Sequence, residues 1–145
     1  MNTTQSEALI RLVNYWQTLT PQSVDEIATV YADDAAFRDP FSDVHGIEKI
    51  RHIFGEMFVR LESPRFTITE TIEQVHGALL IWDFDFRLKS LKPGLTRRIH
   101  GASHIRFGTD GRVAYHRDYW DAAGELYETL PQLGWLMRWL RKRMA

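Results

Sequence analysis

The 145-residue chain contains no cysteine. Disulfide bonds and thiolate-ligated metal sites are therefore excluded, and the fold must be held together by the packing of side chains. A chain of this kind is compatible with a reducing compartment, and we expect a cytoplasmic protein.

Charge of one sign and long apolar runs are also lacking. The 18 Lys and Arg residues nearly balance the 19 Asp and Glu residues, and the formal net charge is −1. This balance offers no electrostatic argument for a nucleic-acid partner. No segment approaches the roughly 18 uninterrupted apolar residues of a membrane-spanning helix, and the first residues lack the pattern of a signal peptide. We therefore expect a soluble protein.

Hydrophobic residues make up 44% of the chain and aromatic residues 12%, which is enough for one compact core. We interpret residues 1–145 as a single domain. Apolar side chains recur at a spacing near 3.6 in three early segments, which predicts three helices, the first with a capping box at Thr4. The predicted inward faces are Leu9, Leu12, Val13, Trp16 and Leu19; Val24, Ile27, Ala28 and Tyr31; and Ile47, Ile50, Phe54, Met57, Phe58 and Leu61.

From Arg65 onward the apolar period falls to two, which predicts strands. Trp82, Phe84 and Phe86 alternate with charged residues, and turn sequences at residues 92–94 and 108–111 separate the later strands. Helices followed by strands predict an α+β fold. We expect an antiparallel sheet with one apolar face that packs on the three helices.

Asp39 is the first candidate for a catalytic residue. Segment 35–37 predicts a short buried strand that follows a helix and carries Asp39 on the same face as Phe37, and Pro40 ends that strand. A carboxylate in apolar surroundings is suited to act as a general base. An Asp-Pro pair also commonly forms a solvated turn, and these residues taken alone favour the turn.

His116 and Asp118 are the second candidate. Period two places His116, Asp118 and Trp120 on one face of the last strand. If that face points inward, an imidazole and a carboxylate lie in the core within hydrogen-bonding reach, and buried polar groups of this kind need partners or a function. If the faces are reversed, both groups lie in water. Periodicity does not decide between the two arrangements.

The layout resembles that of the ketosteroid isomerases, within the nuclear transport factor 2-like superfamily that also includes SnoaL-like polyketide cyclases. The resemblance covers nearly the whole chain. Tyr15 and Asp39 match, without a gap, the family's oxyanion donor and proton-shuttling base. Ser103 takes the position of the second oxyanion donor, which is a protonated aspartate in that family. The resemblance implies a cone-shaped, strongly curved sheet around a cavity.

The same resemblance implies the residues of the site. The catalytic side chains would be Tyr15, Asp39, His116 and Asp118. His116 and Asp118 would either form a base and its orienter, with Asp118 fixing the tautomer of the imidazole, or donate to the substrate in place of the missing acid. The ligand-binding side chains would be Trp82, Phe84, Phe86, Ser103 and Trp120.

The expected activity is proton transfer next to a carbonyl, without a cofactor, in the isomerisation or cyclisation of a small hydrophobic molecule. The expected assembly is a homodimer. The alternative is a non-catalytic ligand-binding or dimeric interaction module. No metal is expected, because His100 and His104 lie about 13 Å apart along a predicted strand and cannot share one ion.

The C-terminal segment predicts an additional amphipathic helix from about Pro131 to Arg143. Its apolar side would carry leucine, methionine and two tryptophans, with Arg and Lys elsewhere. Such a helix could form a lid over the cavity, a dimer contact or a contact with a membrane surface. We favour the lid or the dimer contact. The helix macrodipole alone would also favour cations at this end.

Overall fold

The computed structural model describes residues 6–89, 96–126 and 131–145. In chain order, its elements are α1 (Glu7–Gln17), a 3-10 helix (Ser23–Thr29), β1 (Tyr31–Arg38), β2 (Asp43–His45), α2 (Ile47–Arg60), β3 (Leu61–Gln74), β4 (Gly77–Leu88), β5 (Thr96–Phe107), β6 (Val113–Trp120), α3 (Ala122–Glu125) and α4 (Pro131–Met144). None of the helices in these ranges is long and apolar enough to cross a membrane.

The six strands form one curved sheet in the order β2-β1-β6-β5-β4-β3. The predicted α+β class is confirmed, with one correction to the sheet. Neighbouring strands are antiparallel except for β1 and β6, which run parallel. A parallel pair needs a long connection, and α2 with four strands (β2, β3, β4 and β5) separates β1 from β6. The sheet is therefore mixed rather than a pure antiparallel meander.

The first strand begins earlier than predicted. The helical pattern was expected to continue through Tyr31, but the 3-10 helix ends at Thr29 and Tyr31 opens β1. Tyr31 pairs with Val113 of β6 and is fully buried. The side chains of Ala35 and Phe37 are buried as well, because alternate residues from Ala35 onward share the inner face, whereas Asp33, within the irregular part of the β1–β6 register, is exposed.

The core lies between the helices and the inner face of the sheet. Leu9, Leu12 and Trp16 of α1 are buried, as are Ile50 and Phe54 of α2, so the predicted faces of these helices are confirmed. At the start of α1, the Ser6 hydroxyl accepts a hydrogen bond from the backbone N–H of Leu9. The cap predicted at Thr4 and the turn predicted at 92–94 lie outside the described residues.

Candidate functional site

A cavity of about 480 Å³ lies between α2 and the inner face of the sheet. Its volume is in the range that holds a small organic ligand. Most of its wall is apolar and aromatic, with polar groups at a few places. The apolar wall includes Phe37, Phe54, Met57, Phe66, Trp82, Phe84, Ile99 and Trp120, and the polar side chains include Asp39, His52, Glu56, Arg60 and Asp118.

The aromatic wall matches the sequence expectation in part. Trp82, Phe84 and Trp120 line the cavity. Phe86 is buried and stacks on Phe84 with ring centroids 5.2 Å apart, but it is not among the lining residues. Phe86 therefore supports the wall from behind rather than forming it.

Gly101 determines how Trp82 lies against the sheet. The two residues are opposite each other on β4 and β5. A Cβ atom at position 101 would lie 2.6 Å from Cη2 of Trp82, which is closer than a real side chain allows. The absence of that atom lets the indole lie across β5, where its N–H donates to the Ser103 hydroxyl at 2.9 Å.

Asp39 lies in a turn and also lines the cavity, so both arrangements considered for it, the Asp-Pro turn and the carboxylate in apolar surroundings, are present. Its Oδ1 accepts hydrogen bonds from the backbone N–H groups of Phe41 (2.8 Å) and Ser42 (2.7 Å), so the segment is an Asp-Pro turn. The same side chain lines the cavity. Burial raises the pKa of Asp39 above its ordinary value, the two N–H groups oppose that shift, and the charge of Asp118 adds to it.

His116 and Asp118 both belong to the inner face of β6. The imidazole is almost fully buried, with its ring centroid 4.7 Å from that of Phe37 and 5.1 Å from that of Trp16. Its Nε2 lies 2.6 Å from Oδ1 of Asp118. Asp118 lines the cavity and His116 does not, so the histidine stands behind the carboxylate. This reverses the expected arrangement, in which Asp118 would orient His116.

Two hydrogen-bond chains end on Oδ1 of Asp118. The first chain runs from Trp16 Nε1 to the Tyr31 hydroxyl (3.1 Å), then to His116 Nδ1 (2.7 Å) and on through Nε2 to Asp118. The second runs from Trp82 Nε1 to the Ser103 hydroxyl, which donates to Asp118 at 2.5 Å. Each chain begins at an indole N–H, which can only donate.

The indole donors assign a direction to every hydrogen bond. The Tyr31 oxygen accepts from Trp16, and within the described residues His116 Nδ1 is the acceptor available to the Tyr31 hydrogen. With the Tyr31 hydrogen placed in this bond, Nδ1 is the acceptor, and the imidazole proton on Nε2 points at Asp118. Burial raises the pKa of Tyr31 well above its ordinary value, which keeps this phenol a donor. Asp118 is therefore the common acceptor of both chains.

Asp39 and Asp118 each have one carboxylate oxygen left for a ligand, whereas the third carboxylate of the cavity wall, Glu56, accepts a hydrogen bond from Arg60. The side-chain hydrogen bonds of Asp39 and those of Asp118 all end on Oδ1 of the respective residue. Within the described part of the chain, neither Oδ2 has a hydrogen-bond partner. The cavity thus contains two partly satisfied carboxylates in an apolar enclosure, an arrangement suited to acid–base chemistry.

Tyr15 does not share this cavity. Its hydroxyl donates to the backbone carbonyl of Ser23 at 2.8 Å, and the residue is not among those lining the cavity. Burial, with the charge of Glu26, raises the pKa of Tyr15 to about 12. The expectation that Tyr15 and Asp39 point into one space is therefore wrong. The neighbouring Trp16 points inward instead, and it meets the site through Tyr31.

Tyr31 and Trp16 were missed as site residues by the sequence reasoning, which assigned both to the core. Their apolar bodies are indeed packed there, and only their polar tips join the site. A buried tyrosine and a buried tryptophan both need hydrogen-bond partners, and this requirement was the signal available in the sequence. Among the described residues, no cluster of three or more His, Asp or Glu side chains could hold a metal ion.

Solved structures share this fold. A hypothetical protein with a ketosteroid isomerase-like fold from Catenulispora acidiphila, in complex with trimethylamine, matches with a TM-score of 0.70 at 17% identity over 85% of this chain and 92% of that one. Rv0760c from Mycobacterium tuberculosis, in complex with estradiol-17beta-hemisuccinate, matches with a TM-score of 0.65 at 20% identity over 81% and 95%. An epoxide hydrolase of the LEH-like type from Mycobacterium tuberculosis matches with a TM-score of 0.65 at 18% identity over 81% and 83%.

Identities of this size establish a common fold and nothing finer. No curated protein matches the chain. The family model of the SnoaL-like domain matches residues 12–116, a range that contains Asp39, Ser103 and His116 and ends just before Asp118. Because this match spans well over half of the sequence, the chain belongs to the SnoaL-like domain family.

Proposed function

We propose that the chain binds a small hydrophobic molecule in the cavity and moves a proton at a carbon next to its carbonyl group, without a cofactor. The observation that carries this proposal is the pair of carboxylates, Asp39 and Asp118, in one apolar cavity with one unpartnered oxygen each among the described residues. The ligands of the two neighbouring structures, trimethylamine and estradiol-17beta-hemisuccinate, support small-molecule binding.

Asp118 is the better candidate for the base. Its Oδ1 is held by the imidazole of His116 and the hydroxyl of Ser103, both of which donate, while Oδ2 is left for the substrate proton. Positioning by two fixed donors is what a general base needs, because it holds the accepting oxygen in one geometry. His116 and Ser103 are positioning residues in this scheme, and Trp82 and Trp120 contact the substrate.

Asp39 is the better candidate for the acid. Burial raises its pKa, so it retains a proton to a higher pH than an exposed aspartate does. A protonated Asp39 would donate to the carbonyl oxygen while Asp118 takes the proton from the adjacent carbon. The resemblance to ketosteroid isomerases implied the base role for Asp39, and the hydrogen-bond chains favour exchanging the two roles.

The elementary step can be tested without knowing the natural substrate. In D2O, a hydrophobic ketone such as 2-tetralone exchanges the hydrogens next to its carbonyl, and NMR measures the rate. We expect the protein to accelerate exchange and Asp118→Asn to reduce the acceleration about 10²- to 10⁴-fold, the usual contribution of a general base. Asp83→Asn, on the outer face of the sheet, is the matched control and should exchange at the wild-type rate.

The alternative is a binding protein without chemistry. It is favoured by the role of Asp39 in its own turn, which would require that carboxylate even in a protein with no activity. Quenching of Trp82 and Trp120 fluorescence reports binding separately from exchange. Saturable quenching by hydrophobic ketones, with exchange no faster than in buffer, would replace the enzyme with the binder.

Assembly and location remain predictions. We propose a homodimer, which light scattering during size-exclusion chromatography would show as twice the 17.0 kDa mass of the chain. We also propose a cytoplasmic location, which a chain without cysteine permits.

A further inference from the structure

Helix α4 has one side against the domain and one side exposed. Gly134 is buried and Met137 is half-buried. The opposite side exposes Trp135 (65%) and Trp139 (44%), and also Leu136 and Leu140. These four residues follow the spacing i, i+1, i+4 and i+5, so they form one continuous apolar strip along the helix. The prediction that α4 buries its leucine and methionine face is therefore met only in part.

The charge of α4 is of one sign. Its 14 residues contain four of the 18 Lys and Arg residues of the chain and none of the 19 Asp and Glu residues. The cations are Arg138, Arg141, Lys142 and Arg143. The Arg143 guanidinium carbon lies 5.1 Å from the ring centroid of Trp139, so a cation borders the exposed strip directly.

This charge helps to decide what covers the strip. A lid over the cavity is not what the structure presents, because no described residue of α4 lines the cavity. In a two-fold contact between copies, the same face meets itself, so Arg143, which borders the strip at Trp139, would approach its own copy, and α4 has no acidic residue to neutralise it. An anionic lipid surface complements the charge, accepts the leucines in its acyl region and accommodates tryptophan rings at the level of the headgroups.

We propose that α4 lies on the surface of an anionic membrane, with the strip Trp135–Leu136–Trp139–Leu140 inserted and with Lys142 and Arg143 at the lipid phosphates. The helix is near the cavity at one point. Arg141 Nη2 lies 4.0 Å from Oδ2 of Asp121, the residue after Trp120, which lines the cavity. A hydrophobic ligand dissolved in lipid would then be close to its site, and this last link rests on the proposed function.

Flotation with vesicles tests the docking independently of any ligand. The intact protein should float with vesicles of phosphatidylcholine and phosphatidylglycerol, and binding should weaken as salt rises from about 0.1 M to about 1 M, where the screening length falls to about 3 Å. Lys142→Gln/Arg143→Gln should weaken binding about 30-fold, since each cation near an anionic surface contributes about a fivefold gain in affinity. Trp135→Gln/Trp139→Gln should abolish flotation.

The matched control removes two exposed apolar side chains that lie outside α4. Val59 and Val75 are 63% and 84% exposed, and Val59→Gln/Val75→Gln should float like the wild type. Circular dichroism checks that each variant is folded.

If the intact protein does not float at low salt, or if all variants float as well as the intact protein, the proposal is wrong. A dimer that Trp135→Gln/Trp139→Gln converts to monomer, without vesicle binding by the wild type, would assign the strip to a second copy instead. Loss of ketone exchange with flotation intact would count against the proposed function alone.

Discussion

Two histidine–aspartate pairs lie on opposite faces of the same sheet. On the inner face, His116 Nε2 is 2.6 Å from Asp118 Oδ1, and the histidine side chain is 4% exposed. On the outer face, His100 Nδ1 is 2.8 Å from Asp83 Oδ1, and the histidine side chain is 61% exposed. The two contacts are nearly equal in length and chemistry, so the distance between the partners does not distinguish them.

The difference lies in what stands behind each pair. The second ring nitrogen of His116 is held by Tyr31, and Asp118 is also held by Ser103, so both members have a fixed orientation and a defined direction of donation. Asp83 has a second contact with the exposed side chain of Arg98, whose Nη1 lies 3.7 Å from Oδ2 of Asp83. Arg98 also pairs with Asp85. A histidine–aspartate pair becomes a positioned acid–base group only when a second layer of donors fixes it, and here only the inner pair has that layer.

Replacing the histidine of each pair should give the largest difference in stability between the inner and the outer pair. His116→Ala would leave Asp118 and the Tyr31 hydroxyl without their buried partner, and loss of one member of a buried pair typically costs about 3–5 kcal/mol of the free energy of unfolding. His100→Ala breaks an exposed pair, for which about 0–1 kcal/mol is typical. Urea denaturation of both variants measures the difference. Similar losses for the two would mean that the inner pair is no more constrained than the outer one.

Removing one hydroxyl should give the next largest effect. Tyr31→Phe leaves the Trp16 N–H and His116 Nδ1 unpaired in the core, which should cost about 1–3 kcal/mol. Tyr115→Phe is the matched control. Tyr115 lies on the outer face beside His104, with ring centroids 5.5 Å apart, and its hydroxyl does not belong to either hydrogen-bond chain of the site. Its unfolding free energy should stay within about 0.5 kcal/mol of the wild type.

The same variant tests the direction of the chain. Nitrogen NMR of the imidazole should show the proton of His116 on Nε2 in the wild type. In Tyr31→Phe the donor to Nδ1 is gone, so this preference should weaken, while the outer His100 should not respond. A wild-type His116 with its proton on Nδ1 would contradict the assignment of Asp118 as the common acceptor.

Much of the fold could be predicted because sequence periods report local geometry. The spacing of Leu9, Leu12 and Trp16 indicated the buried face of α1, and the alternation of Trp82 and Phe84 indicated the inner face of β4. The parallel pairing of β1 with β6 could not be predicted, because it depends on contacts between residues about eighty positions apart, such as Phe37 and His116.

The site was predicted less completely, and the reason can be stated for single residues. The match to the family's sequence positions predicted that Tyr15 points into the cavity, whereas the apolar spacing of α1 predicted that Trp16 points inward. Both cannot hold, because adjacent residues on a helix point about 100° apart. The apolar period was right. The inner face of β6 could not be chosen from period two alone, since both faces alternate equally well. Only the buried partners Tyr31 and Ser103 distinguish the face that carries His116 and Asp118.

The smallest expected effect concerns the pH dependence of stability, because the pKa values of two aspartates are shifted in opposite directions. In the cavity, burial raises the pKa of Asp39 above 3.8, so the native state binds this proton more tightly than the unfolded chain does. On the outer face, the hydrogen bonds from Arg98 lower the pKa of Asp85 below 3.8, so there the unfolded chain binds the proton more tightly. By linkage, the pH dependence of stability from the two groups must be opposite.

Asparagine variants make this visible, because the amide removes the titration and keeps the shape of the side chain. Relative to Asp39→Asn, the wild type should lose stability as the pH rises from 3.8 through the raised pKa of Asp39. Relative to Asp85→Asn, it should lose stability as the pH falls from 3.8 through the lowered pKa of Asp85, because that ion pair is then neutralised. The second effect should be small, since the pair is exposed and screened by salt. Urea titrations at several pH values measure both differences, and two curves of the same sign would show that the cavity does not bury the Asp39 carboxylate.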